Sequence, residues 1–234
     1  MFEFEVVDAI PALLGEQALD TVNRAIDGAL EAMGPAAVAG AERQQSVHEI
    51  PGKSVAETVS IFEPEGRIEL YPIPEQAEAE LDRALGAYLP LFGPTARLSG
   101  WMVFEYGTGQ FINSHVDYPT DPAVPETVKL VAVSVNLLAP SSGGDFFVEY
   151  LDRSTFRDDG GRVVRDLHWG VPWFREARRI RWSVEWHPGD AIVWGTEVSH
   201  GTKPVTSGRS RKAICFIEAD ATAEKPAAGL SPSS

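Results

Sequence analysis

The chain has 234 residues, one cysteine and a formal net charge of −14, with 44% hydrophobic and 23% charged residues. That length supports one sizeable core and leaves little for a second domain, and the lone Cys215 excludes a disulfide framework within the chain. The acidic balance argues against a general nucleic-acid binder and against electrostatic docking on anionic membranes, and no apolar run is long enough to span a bilayer.

The start, MFEFEVVD, has no basic stretch followed by an apolar one, so a cytoplasmic location is the expectation. Residues 1–95 read as α/β support. Leu19, Val22, Ile26, Ala29, Leu30 and Met33 recur at helical spacing, and Gly34-Pro35 ends the run. A second helix fits about 75–89, with Leu81, Ala84, Leu85 and Tyr88 on one face. Between the helices, VAETVSIFEP and RIELYPI are rich in β-branched residues and are expected as strands around a Pro-Glu-Gly turn.

From about residue 96 the pattern changes to short strands. RLSGWMVFEY, VKLVAVSVNLL, GDFFVEYL, IRWSVEW, DAIVW and RKAICFIEA are separated by Gly, Pro, Ser and Asp clusters, as in an antiparallel sandwich or barrel. Seventeen prolines and 21 glycines agree with many turns. The fold class expected is therefore mainly β with flanking helices. Residues 221–234, small and polar, are expected to be a disordered tail after a single domain over 1–220.

His115-Val116-Asp117 sits at the end of a strand, where residues i and i+2 share a face. One imidazole and one carboxylate can converge there. His200, in the loop after DAIVW, is the best candidate for a third ligand. Two histidines and a carboxylate on one face of a metal leave the opposite positions open, the arrangement suited to iron(II) oxygen chemistry. Alone, H-x-D would arise by chance in roughly a quarter of such chains. His48, His168 and His187 are read as turn or surface residues.

Three ordered segments add to the triplet. YGTGQFINSHVD, VKLVAVSVNLLAPSSGGDFFV and HPGDAIVWGTEVSHGTKPVTSGRSRKAICF span about residues 100–218. They resemble the proximal ligand approach, the strand–Gly-Gly–strand unit and the distal histidine block of the prolyl-4-hydroxylase-like 2-oxoglutarate/Fe(II)-dependent dioxygenases. The resemblance implies a double-stranded β-helix, a jelly-roll, cupin-like core over 96–220 with an insertion at about 150–185. It also implies Fe(II), 2-oxoglutarate and O2, with His115, Asp117 and His200 as metal ligands. Arg209, nine residues beyond His200, matches the basic residue that pairs with the distal carboxylate of 2-oxoglutarate, and Arg211 competes for that role. A buried dicarboxylate needs a fixed cation, and arginine offers a bidentate fork. Lys212 is expected to point the other way.

Tyr106 either lines the cosubstrate pocket or is a core aromatic. Gly143-Gly144 is expected as a tight turn with positive φ. Many members of the family have arginine and threonine opening the strand after H-x-D, then Tyr-Leu-Asn; here Lys129, Val131 and V-N-L stand there. A tyrosine that contacts the cosubstrate from this strand in some relatives is therefore absent.

The insertion alternates Trp169, Trp173 and Trp182 with arginines and reads either as a lid gripping an anionic or aromatic substrate, or as packing plus surface charge. Trp169, Trp173 and Trp194 are the candidate substrate contacts. Related halogenases replace the carboxylate ligand with a small residue; Asp117 keeps it, which favours hydroxylation. The substrate expected is a small amino-acid-like metabolite or natural-product intermediate. The sequence is also compatible with a homodimer. The rivals are a cupin-like oxygenase or isomerase without 2-oxoglutarate, a hydroxylase acting on protein, and a binding β-sandwich with no turnover.

Overall fold

The computed structural model describes residues 7–34, 53–117, 127–151, 172–196 and 198–220. The tail expected after residue 220 and positions 152–171 of the insertion lie outside the described residues. The chain opens with strand β1 (Val7–Ile10) and helix α1 (Glu16–Met33), which ends where Gly34, at φ 62°, sends its amide back to the carbonyls of Leu30 and Glu31. Glycine tolerates that left-handed backbone and closes the helix as the sequence indicates.

Helix α2 (Val55–Phe62) replaces the strand expected over VAETVSIFEP. The reason is local. The Ser54 hydroxyl accepts from the Glu57 amide while the Glu57 carboxylate accepts from the Ser54 amide. This reciprocal cap outweighs the weak strand preference of Val55, Thr58, Val59 and Ile61.

Strand β2 (Ile68–Leu70), helix α3 (Glu75–Gly86) and a short 3-10 turn (Leu89–Phe92) follow. The remaining elements are β3 (Arg97–Leu98), β4 (Met102–Tyr106), β5 (Ile112–His115), β6 (Thr127–Leu138), β7 (Ser142–Gly143), β8 (Phe146–Leu151), α4 (Pro172–Glu176), β9 (Arg179–Val184), β10 (Ala191–Gly195), β11 (Ser199–Thr202), β12 (Val205–Ser207) and β13 (Ser210–Asp220).

The strands form the jelly-roll expected. A larger sheet runs β1-β10-β6-β13-β4-β2, with β3 also on β13, and a smaller sheet runs β5-β11-β8-β9. All their pairings are antiparallel. Between them, β7 pairs with β12. At the β7 turn Gly143 and Gly144 have φ of 74° and 72°, and a Cβ on Gly143 would lie 2.4 Å from the Pro204 carbonyl oxygen. Both the backbone and the space there demand glycine.

Alternation along the central strands sorts the chain into two layers. Val103, Val131, Val133, Val135, Val193, Ala213, Cys215 and Ile217 pack outward against Val22 and Ile26 of α1 and Leu81 and Leu85 of α3. The intervening positions face the smaller sheet: Ala132, Ile192, Trp194 and Phe216 meet Phe146, Val148 and Val184, while Phe104, Tyr106 and Ile214 meet Phe62, Ile112 and Val205. Within the regularly paired stretches of β4, β6, β10 and β13, odd-numbered residues thus cover the helices and even-numbered ones line the interior.

Arg211 obeys this parity. Its guanidinium, 1% exposed, lies on the helix side, where it donates to Glu105 at 2.8 Å, Asn23 at 3.0 Å and Asp27 at 2.6 Å. It ties α1 to the larger sheet. Arg211→Ala would leave the buried Glu105 carboxylate with only the largely exposed Arg209 as its cation, so the expected loss is at the lower end of about 3–5 kcal/mol, read from the denaturant midpoint. Arg209 shares Glu105 at 3.0 Å, but its side chain is 58% exposed. Arg209→Ala is expected to cost less than about 1 kcal/mol.

Candidate metal centre

Two strands of the smaller sheet build the centre. His115, the last residue of β5, stands directly opposite His200 on β11, and their ring centroids are 4.3 Å apart. His200 therefore lies on a strand, not in the loop expected for it. Asp117, just past β5, returns its carboxylate to the pair. Oδ1 is 4.0 Å from Nε2 of His115 and Oδ2 is 3.7 Å from Nε2 of His200. One ligand atom from each of the three residues falls within 4.8 Å of the others.

Backbone carbonyls set the tautomers. Nδ1 of His115 is 2.8 Å from the Asn113 oxygen, and Nδ1 of His200 is 2.9 Å from the Val198 oxygen. A carbonyl only accepts, so each Nδ1 carries a proton, and Nε2, the nitrogen on the Asp117 side, is the one each ring can offer to a metal. Two imidazoles and one carboxylate, with side chains 6%, 6% and 9% exposed, make a mixed nitrogen and oxygen donor set on one side of a point. The donors fit a divalent first-row metal of the kind the sequence suggests.

Trp194 holds the carboxylate. It is 1% exposed, and its indole Nε1 donates to Asp117 Oδ2 at 3.2 Å while its ring packs 4.6 Å from His200 and 4.9 Å from Phe146. The expected substrate contact is thus turned toward the metal ligand instead. With one oxygen engaged by the indole, the other is left for a metal. Trp194→Phe keeps the ring and removes the N–H. It is expected to weaken Fe(II) binding by about tenfold, measured by anaerobic titration, with the thermal melt nearly unchanged. Trp169 and the side chain of Trp173 lie outside the described residues.

The basic residues divide as parity dictates. Arg209 and Arg211 both turn to Glu105, away from the interior. Lys212 points the other way from the two arginines, as expected, but because they face the helices it is Lys212 that turns inward, to the side where the triad lies. It is 2% exposed, and its Nζ donates to Thr202 Oγ1 at 2.8 Å and to the Gly144 carbonyl at 3.4 Å. Thr202 is two residues beyond His200 on the same strand, about 7 Å along it. The ammonium sits between the rings of Tyr106 and Trp186, 5.6 and 5.4 Å from their centroids. Among the described residues no carboxylate lies within ion-pair distance of it.

Burial lowers the Lys212 pKa to about 7; Asp145 opposes the shift and the nearby Arg67 adds to it. Asp145 itself pairs with Lys203 at 3.2 Å. Tyr106, 1% exposed, accepts a hydrogen bond from Arg67 Nη1 at 2.7 Å. Arg67, stacked 3.7 Å over the Phe104 ring, also pairs with Glu63 at 2.8 Å. On the inner face of β6, between the Trp194 and Lys212 rows, the Ser134 hydroxyl is buried without a hydrogen-bond partner among the described residues. An unanswered buried hydroxyl and an unpaired buried ammonium beside a metal triad suit a polar, anionic ligand.

Lys212 and Arg67 are the residues that sequence reasoning missed. The signal for Lys212 was its opposite parity to Arg209 and Arg211. Arg67 carried no signal, because RIELYPI reads as an ordinary strand.

No family model and no curated protein matches the chain. Solved structures do. The chain is similar to the viral collagen prolyl hydroxylase of Paramecium Bursaria Chlorella virus-1 in its 2OG complex, at 16% identity and TM-score 0.52, over 91% of this chain and 96% of that one. It is similar to a Pseudomonas putida prolyl-4-hydroxylase at 14% identity and TM-score 0.53, over 92% of each chain. It is also similar to SnoK, a non-heme alpha ketoglutarate dependent carbocyclase from nogalamycin biosynthesis, at 15% identity and TM-score 0.53, over 92% of this chain and 80% of that one. The fold is that of the 2OG-Fe(II) oxygenases.

Proposed function

We propose that the chain is an Fe(II)- and 2-oxoglutarate-dependent oxygenase that hydroxylates an unactivated C–H bond of a small molecule, releasing succinate and carbon dioxide. The observation that carries this is one arrangement: a His115, Asp117 and His200 triad with a buried ammonium, in no ion pair among the described residues, one strand row deeper. The triad would hold the iron, and Lys212 would take the distal carboxylate of the cosubstrate in place of Arg209 or Arg211. Bound together, metal and cosubstrate would activate O2, with one oxygen atom going into succinate as carbon dioxide leaves and the other into the C–H bond.

The chain's own residues do the rest. Thr202 steers the Lys212 ammonium, Ser134 offers a hydroxyl along the way, and Trp194 fixes the carboxylate. The apolar walls of Phe146, Ile192 and Trp194 exclude water from the reacting centre. Asp117 retains the third ligand, which favours hydroxylation over halogenation. A cupin-like activity without 2-oxoglutarate would leave the Lys212 ammonium without an anion to answer.

Solved relatives act on collagen-type substrates and, in SnoK, within nogalamycin biosynthesis. The small-molecule reading follows the second. Anaerobic addition of 2-oxoglutarate to the Fe(II)-loaded protein should produce a visible charge-transfer band, and a metabolite screen should find compounds that stimulate succinate release. Absence of the band in metal-loaded protein would exclude the cosubstrate, and turnover only with folded protein or peptides would exclude the small-molecule reading.

A further inference from the structure

The triad divides the inner face of the smaller sheet into two ends. His115, His200, Val148 and Trp182 stand opposite one another across β5, β11, β8 and β9. The adjacent row on one side is Thr202, Phe146 and Val184, the row beside Lys212. The adjacent row on the other side contains Tyr150 opposite Ile180. Directly opposed residues of an antiparallel pair share a face. Phe146, Val148 and Val184 pack inward against Trp194 and Ile192. Trp182, Ile180 and Tyr150 therefore project from that same face.

These three are 55%, 57% and 54% exposed. A cosubstrate reaching from the triad to Lys212 occupies the deep end, so a second molecule meets the triad from the other. There it finds two aromatic rings and a branched aliphatic chain, Trp182 and Ile180 on the edge strand β9 and Tyr150 beside them on β8, an apolar surface that a bound molecule would cover. The arginines of β9 do not share this face. Arg181 pairs with Glu149 through its Nε, and Arg179 lies 3.8 Å from the same carboxylate, on the side opposite Trp182. The anion grip expected of the arginines is thus not available from β9, and its aromatic residue is.

We infer that Trp182, Ile180 and Tyr150 form the substrate platform, and that the substrate presents a flat apolar body, aromatic or fused-ring, lying on it with a C–H bond toward the triad. This rests on the oxygenase reading above and adds the substrate class to it. Stacking on Trp and Tyr rewards a rigid ring, whereas a zwitterionic amino acid would meet no charge on these three side chains and would lose hydration without compensation.

The test uses 2-naphthol as the flat apolar probe and L-proline as the polar one, by equilibrium dialysis against anaerobic protein loaded with Fe(II) and 2-oxoglutarate. The probe 2-naphthol should bind and L-proline should not. Trp182→Ala should weaken 2-naphthol about tenfold, Ile180→Asn should weaken it as well, and Trp182→Phe should largely restore it. Arg181→Ala, on the opposite face, should leave it unchanged. The visible charge-transfer band should persist in all four variants. If 2-naphthol fails to bind, or binds Trp182→Ala and Ile180→Asn as it binds the parent, the platform is refuted while an intact band preserves the oxygenase reading. If the band never forms, it is the oxygenase reading that falls.

Discussion

His200→Gln is expected to abolish Fe(II)-dependent turnover and to weaken Fe(II) binding by about 100-fold or more. The size of the effect follows from where the imidazole stands. Its Nδ1 proton is committed to the Val198 carbonyl, so Nε2 is the donor, and no other His, Cys, Asp or Glu among the described residues joins the group with His115 and Asp117. Glutamine at this position keeps bulk between Phe146 and Trp194, so the fold should survive. Anaerobic Fe(II) titration beside a thermal melt separates the two outcomes. Lost metal with an unchanged melt supports the ligand role; retained metal and turnover would remove His200 from the centre.

How much of this was legible in the residues depends on whether a local rule or a tertiary choice decided each one. H-x-D at a strand end and a distal histidine after P-G-D were readable, because period-two geometry and ordered motifs fix them. The strand character of His200 was not, since a four-residue strand followed by Gly201 carries little signal. At α2 the S-x-x-E cap decides for helix, whereas the β-branched composition alone reads as strand. The cation was misplaced for a different reason. Along RKAICFIEA both faces of β13 are apolar, because one covers helices and the other lines the barrel. Periodicity therefore showed that Arg211 and Lys212 part company without showing which goes inside. The same alternation in RIRWSV separates Arg179 and Arg181 from Ile180 and Trp182, and reading that stretch as one mixed lid hid the separation.

Lys212→Met is expected to raise the 2-oxoglutarate concentration needed for half-saturation by about 30-fold or more, the scale for removing one partner of a buried charge pair. Methionine keeps the length and apolar stem of lysine, so packing between Tyr106 and Trp186 should hold. Lys212→Arg should recover part of the loss, and Arg209→Ala should leave cosubstrate binding unchanged because its guanidinium faces Glu105. The pH dependence has a definite sign. The groups around the ammonium are Arg67 before β2, Tyr106 on β4, Asp145 before β8 and Thr202 on β11, and burial dominates them to hold the pKa at about 7. Below pH 7 the free protein already carries the proton that a dianionic ligand needs. Above it the proton must be taken up on binding, so affinity should fall by up to about tenfold per pH unit until the raised pKa of the bound state is passed. Without ligand the same depression makes folding stability rise between about pH 7 and the ordinary lysine pKa of 10.5, since over that window the unfolded chain holds the proton and the folded one does not. Anaerobic 2-oxoglutarate titrations from pH 6 to 9 should therefore slope in the parent and run flatter in Lys212→Met. A parent profile as flat as that of the variant, or an unchanged half-saturation in Lys212→Met, would move the cosubstrate carboxylate away from Lys212, with Arg67 the next cation to examine.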